Sequence, residues 1–455
     1  MSNQTSISPS DQGSTPPVLF EIPKVSAEAL AVPSGAARLQ RPDRLQVRMH
    51  MYSLEAMLAE DHQARVVWEY VEGLDLGCLY ESIRAVQGHC GRDAIDPRIL
   101  MALWLYATLD GVGAARELGR LCEDHVAYQW ICGGVSVNYH TLSDFRTGKA
   151  DLLDRLLTRG VAGLMQEGLV TMKRVAQDGM RVRASAGTSS FRRDKTLKRL
   201  EDEARQQVDA LRKELRDDPG AATKRQQAAR ERALRERQER IARARQVLPE
   251  VQAKKRPDKK DQARTSTTDP DARFTKMADG GIRPAVNVQF ATDTQSQIIT
   301  GADVGNIGSD MGQMSPMIDQ HKDRYGRPPE EMLGDGGFAS RDDIDSATHA
   351  QPPTTIYAPV QKSRKEGKNC FDRQPGDTDA VAQWRQRMST PESQAIYKER
   401  AATAECVNAL ARNRGMQQFR VRGLRKIRAV VLWFALAHNL VRAAFLRRQA
   451  ATTVA

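Results

Sequence analysis

The stretch KRVAQDGMRV at residues 173–182 has the composition of a β-strand and carries one acidic residue, Asp178, near its centre. A second stretch, PAVNVQFA at residues 284–291, alternates between apolar and polar residues over most of its length. Because successive side chains of a strand point to opposite faces, this alternation predicts one apolar and one polar face. The two stretches predict a sheet in the part of the chain after residue 168.

Further strand-like runs follow, around residues 298–299, at 331–334 and at 354–360. The polar and irregular residues 361–391 then precede a helical segment at residues 392–412. Strands that alternate with helices in this order predict an α/β fold, in which a mixed sheet is flanked by helices.

The residues before this sheet are predicted to form helices instead. Asp96 and Pro97 are typical of an N-cap and a first-turn proline, and the apolar residues that follow recur with helical spacing. Thr141, with Asp144 three residues later, resembles a capping box and predicts the start of another helix. We therefore expect residues 46–168 to form an all-helical N-terminal domain.

The composition excludes several classes of protein. Of the 455 residues 40% are hydrophobic and 28% charged, which is too polar for a membrane protein and too apolar for a fully disordered one. The apolar run at residues 430–437 is shorter than the roughly 20 residues that a spanning helix needs. Residues 1–45 are rich in Ser, Pro and Gln, lack the features of a secretory signal and are predicted to be a disordered tail. We expect a cytoplasmic protein without a membrane partner.

The formal net charge of +12 is concentrated in two segments. Residues 191–264 hold 24 basic and 14 acidic residues, a net of +10, and residues 406–455 hold 10 basic residues and no acidic one. Basic segments on a mildly acidic body indicate a polyanion as partner, with its phosphates supplying affinity. In residues 191–264 the acids are interleaved with the bases, so a solvated helical surface explains that segment equally well.

The basic segment at residues 191–264 is also predicted to be helical. Residues 197–247 are rich in Ala, Arg, Glu and Gln, and the sequence Asp-Pro-Gly at residues 218–220 interrupts them. Two long helices that fold back on each other as a hairpin are the simplest prediction. This coiled-coil-like insertion lies between the first and second strands, and its sequence does not fix its role.

Three carboxylates stand out by position: Asp178 within the first strand, Asp335 at the end of a later strand, and Glu405 on the following helix. Magnesium prefers hard oxygen ligands and is usually held by a few carboxylates together with phosphate oxygens of the substrate. Two such ions can activate the attacking oxygen and stabilise the leaving oxygen of a phosphoryl transfer. Taken singly, each aspartate precedes a glycine, and a turn is the commoner role of such a pair.

The helix that carries Glu405 places other polar residues near it. At about 100° per residue, Tyr397, Glu405 and Arg412 fall within roughly 80° of arc, and Arg400 lies at its flank. One face of a regular helix can therefore present all four to a single site. A guanidinium can grip a phosphodiester through two hydrogen bonds, which suits a site that binds DNA. An amphipathic helix with exposed charges explains the same pattern.

These motifs together resemble those of the DDE transposases of bacterial insertion sequences. The resemblance is carried by VAQDGMRVRASAG (175–187), DPDARF (269–274), MLGDGGFAS (332–340) and the segment that begins YKERAATAECVNALARNRG (397–415). The N-terminal part is similar as well, in ARELGRLCEDHVAYQWICGG (115–134) and HTLSDFR (140–146). The likeness extends over residues 46–447.

The resemblance implies a fold, a set of ligands and a cofactor. The fold is a ribonuclease H-like core, in which Asp178, Asp335 and Glu405 are the catalytic residues and bind two Mg²⁺ ions, which Mn²⁺ can replace. The catalytic domain would then be residues 169–455, and the helical residues 46–168 would bind DNA.

The resemblance also implies which residues contact DNA. The family's signature of tyrosine, arginine, glutamate and lysine falls on Tyr397, Arg400 and Glu405, with Arg412 where a lysine is usual. This departure keeps the positive charge. The basic residues expected to extend the contact along the DNA backbone are Arg420, Arg422, Arg425 and Lys426.

The implied function is that of a DNA transposase that binds terminal inverted repeats, cuts the element ends and transfers the 3′ hydroxyl to target DNA. Such a protein is expected to act as a homodimer or larger oligomer on DNA, at the nucleoid. Three alternatives remain open at this point: an inactive DNA-binding or repressor copy, a ribonuclease H-like nuclease that cuts without joining, and a structural coiled-coil protein built around residues 191–264.

Overall fold

The computed structural model describes residues 45, 51, 53–86, 88, 92–217, 223–361 and 369–454. The part Tyr52–Ala455 forms one compact unit. Almost all of the expected tail at residues 1–45, and the expected break at residues 218–220, lie outside the described residues.

The described residues before the sheet are helical, as predicted. The helices are α1 (Gln63–Glu72), α2 (Gly77–Tyr80), α3 (Pro97–Leu109), α4 (Ala115–Asp124), α5 (Val126–Cys132), α6 (Tyr139–Gly148) and α7 (Ala150–Gln166). The side chain of Asp96 accepts a hydrogen bond from Arg98 N at the start of α3, with Pro97 in the first turn. The predicted cap is therefore confirmed. Trp104 of α3 is fully buried, and its ring nitrogen donates to the carbonyl oxygen of Leu142 in α6.

The predicted capping box at Thr141 is wrong. Helix α6 begins at Tyr139, and its N-cap is Asn138, three residues before Thr141. The side-chain oxygen of Asn138 accepts hydrogen bonds at 3.0 Å from the backbone nitrogens of His140 and Thr141. Thr141 and Asp144 therefore lie inside the helix. Asparagine stabilises a helix N-terminus at least as well as threonine does. Asn138 is the N-cap because its backbone is extended, directly before the first helical residue.

The strands of the described residues are β1 (Arg174–Arg183), β2 (Phe191–Arg192), β3 (Thr265–Ser266), β4 (Arg273–Lys276), β5 (Ile282–Asp293), β6 (Ile299–Gly305), β7 (Glu331–Leu333) and β8 (Thr355–Tyr357). The strands predicted at residues 173–182, 284–291, 298–299, 331–334 and 354–360 correspond to β1, β5, β6, β7 and β8 of the structure, whereas β2, β3 and β4 were not predicted. Strand β5 pairs antiparallel with β1 on one edge and with β4 and β6 on the other. Strand β1 pairs parallel with β7, and β7 parallel with β8. The predicted α/β fold with a mixed sheet is confirmed.

Helices cover the sheet and form the inserted segment. They are α8 (Asp194–Asp217), α9 (Lys224–Ala253), α10 (Met314–Tyr325), α11 (Arg341–His349), α12 (Asp379–Met388), α13 (Pro391–Arg400), α14 (Cys406–Asn413) and α15 (Leu424–Val454). Short 3₁₀ turns lie at Glu55–Met57, Thr188–Ser190 and Pro257–Gln262.

The inserted segment is the predicted hairpin of α8 and α9. Strands β2 and β3 pair antiparallel at its base and thereby bring its two ends together. The buried residues of α8, which are Leu197, Ala204, Val208 and Leu211, recur at near-heptad spacing. Helix α8 carries seven basic and seven acidic residues, whereas α9 carries nine basic and four acidic ones. The positive excess of the hairpin helices therefore lies on α9.

Helix α15 connects the two parts of the fold, because it packs against α3, α6 and α7 as well as against β6. By length and composition Leu424–Thr452 is apolar enough to cross a membrane, but 72% of its apolar window is buried inside the protein, as in the core helix of a globular protein. The amide of Asn439 both donates to the carbonyl oxygen of Ile299 and accepts from its nitrogen, each at 2.8 Å. The polar residue that interrupts the apolar run thus satisfies the buried backbone at the start of β6.

Candidate active site

The register of the sheet places Asp178 beside Asp335. Strand β1 pairs with β7 in parallel, with Ala176 opposite Leu333. Two residues further on, this register sets Asp178 against Asp335, which lies just beyond the end of β7. Neighbouring strands lie about 4.8 Å apart, and residues in matching positions project from the same face of a sheet. Two carboxylates that are distant in sequence therefore become neighbours.

A π-helical segment brings the third carboxylate to Arg400. The predicted helix at residues 392–412 is interrupted after α13, and Ala401–Glu405 is π-helical before α14 begins. In a regular α-helix, residues five apart lie about 140° apart around the axis, whereas the i to i+5 bonding of a π-helix brings them nearly into line. Accordingly Arg400 Nη2 donates to Glu405 Oε1 at 2.5 Å.

The same segment changes the expected position of Arg412. One extra residue per turn rotates everything after it by about 100° relative to a regular helix. Arg412 is exposed, and among the described contacts its side chain bonds neither Tyr397 nor Glu405. Arg412 follows Glu405 by seven residues, close to two turns of the regular helix α14, so the rotation moves Glu405 and Arg412 together, and the shared face stays a prediction for Arg412.

Arg400 lies between two of the three carboxylates. Its Nη1 is 3.6 Å from Asp178 Oδ1, while its Nη2 bonds Glu405. Its guanidinium carbon is 5.9 Å from the centre of the half-buried Tyr397 ring, within the range of a cation–π contact. Three of the predicted DNA-contacting and catalytic residues of this helix thus meet at one point against β1.

The positive charge of Arg400 does not fully compensate the negative charge of Asp178 in its partly buried position. Burial raises the pKa of its carboxyl above the usual value; Arg400 lowers that pKa, and the negative charge of Asp335 raises it again. Burial alone would lower the pKa of Arg400, but the charges of Asp178, Tyr397 and Glu405 outweigh it and raise that pKa. The ionised form of Asp178 would therefore gain from a further cation.

Two polar residues at this site were not found from the sequence. Asn408 donates from its side-chain nitrogen to Asp178 Oδ2 at 2.9 Å. It follows Glu405 by three residues, within the segment that carries the resemblance. On the other face of the sheet the buried Asp310 accepts from Arg181, at 2.9 Å. No local pattern marks Asp310, which lies in a loop.

Asp310 explains why a glycine follows Asp178. A Cβ atom at Gly179 would lie 2.1 Å from Asp310 Oδ1, which is closer than any real contact. Asn287 and Gln289 of β5 also donate to that oxygen, at 2.7 and 2.8 Å. Gly179 is therefore required for close approach in the middle of a strand and is not a turn residue. Asp335 does lie in a turn, since its Oδ1 accepts from Gly337 N at 2.7 Å.

The other predicted DNA-contacting residues lie on a segment that runs beside the end of β1. Residues 417–419 extend the edge of β1, with Phe419 N donating to the carbonyl oxygen of Arg183 at 2.9 Å. At about 3.3 Å per residue along a strand, this point is roughly 17 Å from Asp178. The four basic residues that follow are all exposed, namely Arg420, Arg422, Arg425 and Lys426.

The aspartate pair fits a divalent cation by its chemistry. Asp178 and Asp335 offer hard oxygen donors side by side, and burial leaves Asp178 in need of positive charge. Glu405 is directed at Arg400 instead. Within the described residues, no group of three His, Cys, Asp or Glu side chains is arranged to hold a metal ion. The arrangement therefore offers two candidate ligands, Asp178 and Asp335, and holds Glu405 in an ion pair with Arg400.

Two models of known protein families match parts of the chain. A family model described as a transposase domain matches residues 52–148, and one described as a transposase DDE domain matches residues 361–444, which include Arg400 and Glu405. Both matches support a DDE transposase of an insertion sequence. In this transposase the first match covers α1 to α6, and the second runs from the residues before α12 into α15. No curated protein and no solved structure matches the transposase chain.

Asp178 and Asp335 of the transposase lie outside both matched segments. Their assignment as site residues depends on the register of β1 and β7 and on the charge that Asp335 exerts on Asp178.

Proposed function

We propose that this transposase binds the terminal inverted repeats of its element, hydrolyses the phosphodiester bond at each end and transfers the 3′ hydroxyl to target DNA. The observation that carries this proposal is the adjacency of Asp178 and Asp335 by strand register, with the Arg400–Glu405 ion pair against the same strand. Both steps are phosphoryl transfers, so one site serves for cutting and for joining.

The proposed fold is ribonuclease H-like. Its support is the strand order, in which the antiparallel strands β6, β5 and β1 are followed by the parallel strands β7 and β8. Under this proposal residues 169–455 are the catalytic domain, and the helical residues 46–168 recognise the terminal repeat. Because two element ends must be joined together, the active form would be a dimer or larger, acting on nucleoid DNA in the cytoplasm.

Asp178, Asp335 and Glu405 would hold the divalent cations, with Mg²⁺ favoured by their hard oxygen atoms and Mn²⁺ as a replacement. When bound, such ions activate the attacking oxygen and stabilise the leaving oxygen. The permanently charged guanidinium of Arg400, oriented by the Tyr397 ring, is suited to bind the phosphate next to the bond that is cut. Most of the rate enhancement then comes from positioning and from neutralisation of charge.

The exposed basic residues after α14 would continue this contact along the duplex. The roughly 17 Å between Asp178 and residues 417–419 corresponds to about five base pairs of B-DNA at 3.4 Å per step along one strand. Arg420, Arg422, Arg425 and Lys426 are therefore within reach of the same bound end. Arg412 is exposed on α14 and remains a proposed contact of the DNA backbone.

The decisive experiment is a nicking assay on a labelled duplex that carries the inverted repeat found in the flanks of the gene. Wild-type protein should nick it in the presence of Mg²⁺. The variant Asp335→Asn should be slower by at least about a hundredfold, because one cation ligand is lost, while its affinity for the duplex stays unchanged. Asp342→Asn, at an exposed aspartate of α11, is the matched control and should nick like wild type.

The alternatives give other results in the same assay. If the wild type and Asp335→Asn bind equally and neither nicks, the protein is a DNA-binding or repressor copy and the enzymatic proposal is wrong. A nuclease without strand transfer would nick but yield no joined product when unlabelled target DNA is added.

A further inference from the structure

A small cavity lies between the N-terminal helices and the segment after α14. Its walls come from the end of α3, from α6, from residues 414–420 and from α15. Three arginines line it, Arg146 of α6 together with Arg414 and Arg420, and none of the described lining residues is acidic. We call this cavity the arginine pocket.

Two arginine nitrogen atoms of the arginine pocket have no hydrogen-bond partner. Arg146 donates through Nη1 to the carbonyl oxygen of Gly113, and its guanidinium lies 4.6 Å from the centre of the Trp104 ring. Its Nε is buried without a hydrogen-bond partner, and so is Nη1 of Arg414. Buried donors without partners are rare and costly, so they call for a ligand.

The charge of the pocket is not compensated from within the protein. Burial lowers the pKa of Arg146 to about 10, and the positive charge of Arg420 contributes to the shift. Burial also lowers the pKa of Arg414. No carboxylate opposes either shift, in contrast to Arg400, where Asp178 and Glu405 do. Arg146 and Arg414 are both partly buried, and a partly buried cation without a compensating charge is costly unless an anion joins it.

The backbone holds these arginines in place. Gly415 has a φ of +86°, and a Cβ atom there would lie 3.0 Å from the carbonyl oxygen of Gly111. The turn after α14 thus packs tightly on the turn after α3. The pocket is therefore fixed by tertiary contact between the segments that the two family matches cover.

We propose that the arginine pocket binds a phosphate group. Guanidinium groups form paired hydrogen bonds with phosphate oxygens, and a phosphate would supply both the missing negative charge and the missing acceptors. The inference that a phosphate group binds rests on the residues of the pocket alone. That the phosphate belongs to a DNA backbone rests on the proposed function, whereas free inorganic phosphate would make the same contacts.

The first test uses the full chain and inorganic phosphate. Phosphate should raise the melting temperature of the wild type relative to chloride at the same pH and ionic strength, because a ligand of the folded state stabilises it. In Arg414→Met this rise should be lost, while the melting temperature in chloride should stay the same or increase, because an uncompensated buried charge has been removed. A merely structural arginine would instead lower stability in chloride.

Two further variants keep this test decisive. Arg420→Gln changes an exposed residue of the same pocket and should reduce the phosphate effect without unfolding the chain. Arg159→Gln, at an exposed arginine of α7 that pairs with Asp75, should leave the effect intact. A wild type that phosphate does not stabilise, or an Arg414→Met protein that keeps the full rise, would overturn the proposal.

The second test identifies the source of the phosphate. The affinity for a terminal-repeat duplex is measured at several salt concentrations for wild type and Arg414→Met, because Arg414 lies in the pocket and is not among the exposed residues proposed to contact the DNA backbone. If the pocket holds a DNA phosphate, the slope of log affinity against log salt should fall by about one in the variant. An unchanged slope together with the phosphate-dependent rise assigns the pocket to free phosphate. Asp335→Asn should keep the rise, so a failure of the catalytic proposal does not mimic a failure of this one.

Discussion

Arg400 determines how the site responds to pH, because its charge lowers the pKa of a buried aspartate that burial and Asp335 raise. Under the proposed function Asp178 must be ionised to bind a cation, so nicking activity should be lost as the pH falls through its pKa. In Arg400→Gln that pKa rises further, and the acid limb of the nicking rate should move to higher pH. Arg400→Lys keeps the positive charge, so it should shift the acid limb of the nicking rate less than Arg400→Gln does.

The measurement is the single-turnover nicking rate as a function of pH at saturating Mg²⁺. An acid limb that stays in place in Arg400→Gln, or moves to lower pH, would show that Asp178 does not limit the rate. The exposed Arg159→Gln variant controls for a general change in charge and should leave the profile unchanged.

At the scale of elements, we expect the hairpin of α8 and α9 to be separable from the sheet. Its residues Leu197, Ala244, Leu248 and Ala263 form a small apolar cluster of their own. Because Arg192 and Thr265 are paired at its base, a two-residue Asn-Gly turn can replace residues 193–264. The shortened chain should lose the helical circular dichroism of the hairpin and keep a cooperative melting transition.

A structural coiled-coil protein built around the hairpin would behave differently. Its remaining residues would lose the cooperative transition once the hairpin is removed. If the shortened chain folds, its affinity for the terminal-repeat duplex then shows whether the positive excess of α9 contributes to DNA binding. A reduced salt dependence of that affinity would indicate phosphate contacts from α9.

At the scale of the whole molecule, α15 couples the N-terminal helices to the sheet. Asn439→Leu removes the side-chain partner of both backbone groups of the buried Ile299, so we expect it to destabilise the protein by on the order of 3 kcal/mol. Since α15 packs on both parts, the loss should appear in a single unfolding transition in calorimetry. Asn413→Leu, at an exposed asparagine, should have little effect.

Two separate transitions, with only one of them lowered by Asn439→Leu, would contradict this coupling. That outcome would favour residues 46–168 as an independently folding domain. A single transition is compatible with the proposed functional division at residue 168 but indicates that both parts fold together.

The sequence by itself determined several elements: the strand with Asp178, its alternating partner β5, and the hairpin of α8 and α9. These follow from composition and periodicity, which act over a few neighbouring residues. The cap of α6 was mistaken because Asn138 and Thr141 are both good caps, and only the backbone conformation chooses between them. Sequence similarity pointed to Asp335 and Glu405 as well, but it did not place them.

Only the tertiary structure decided what the site contains. The pairing of β1 with β7 sets Asp178 beside Asp335, and one π-helical segment turns Glu405 toward Arg400. Asp310 and the arginine pocket likewise arise where segments far apart in the chain meet. Register, burial and the electrostatic effect of one charge on another depend on distances in space, and no local pattern of residues encodes those distances.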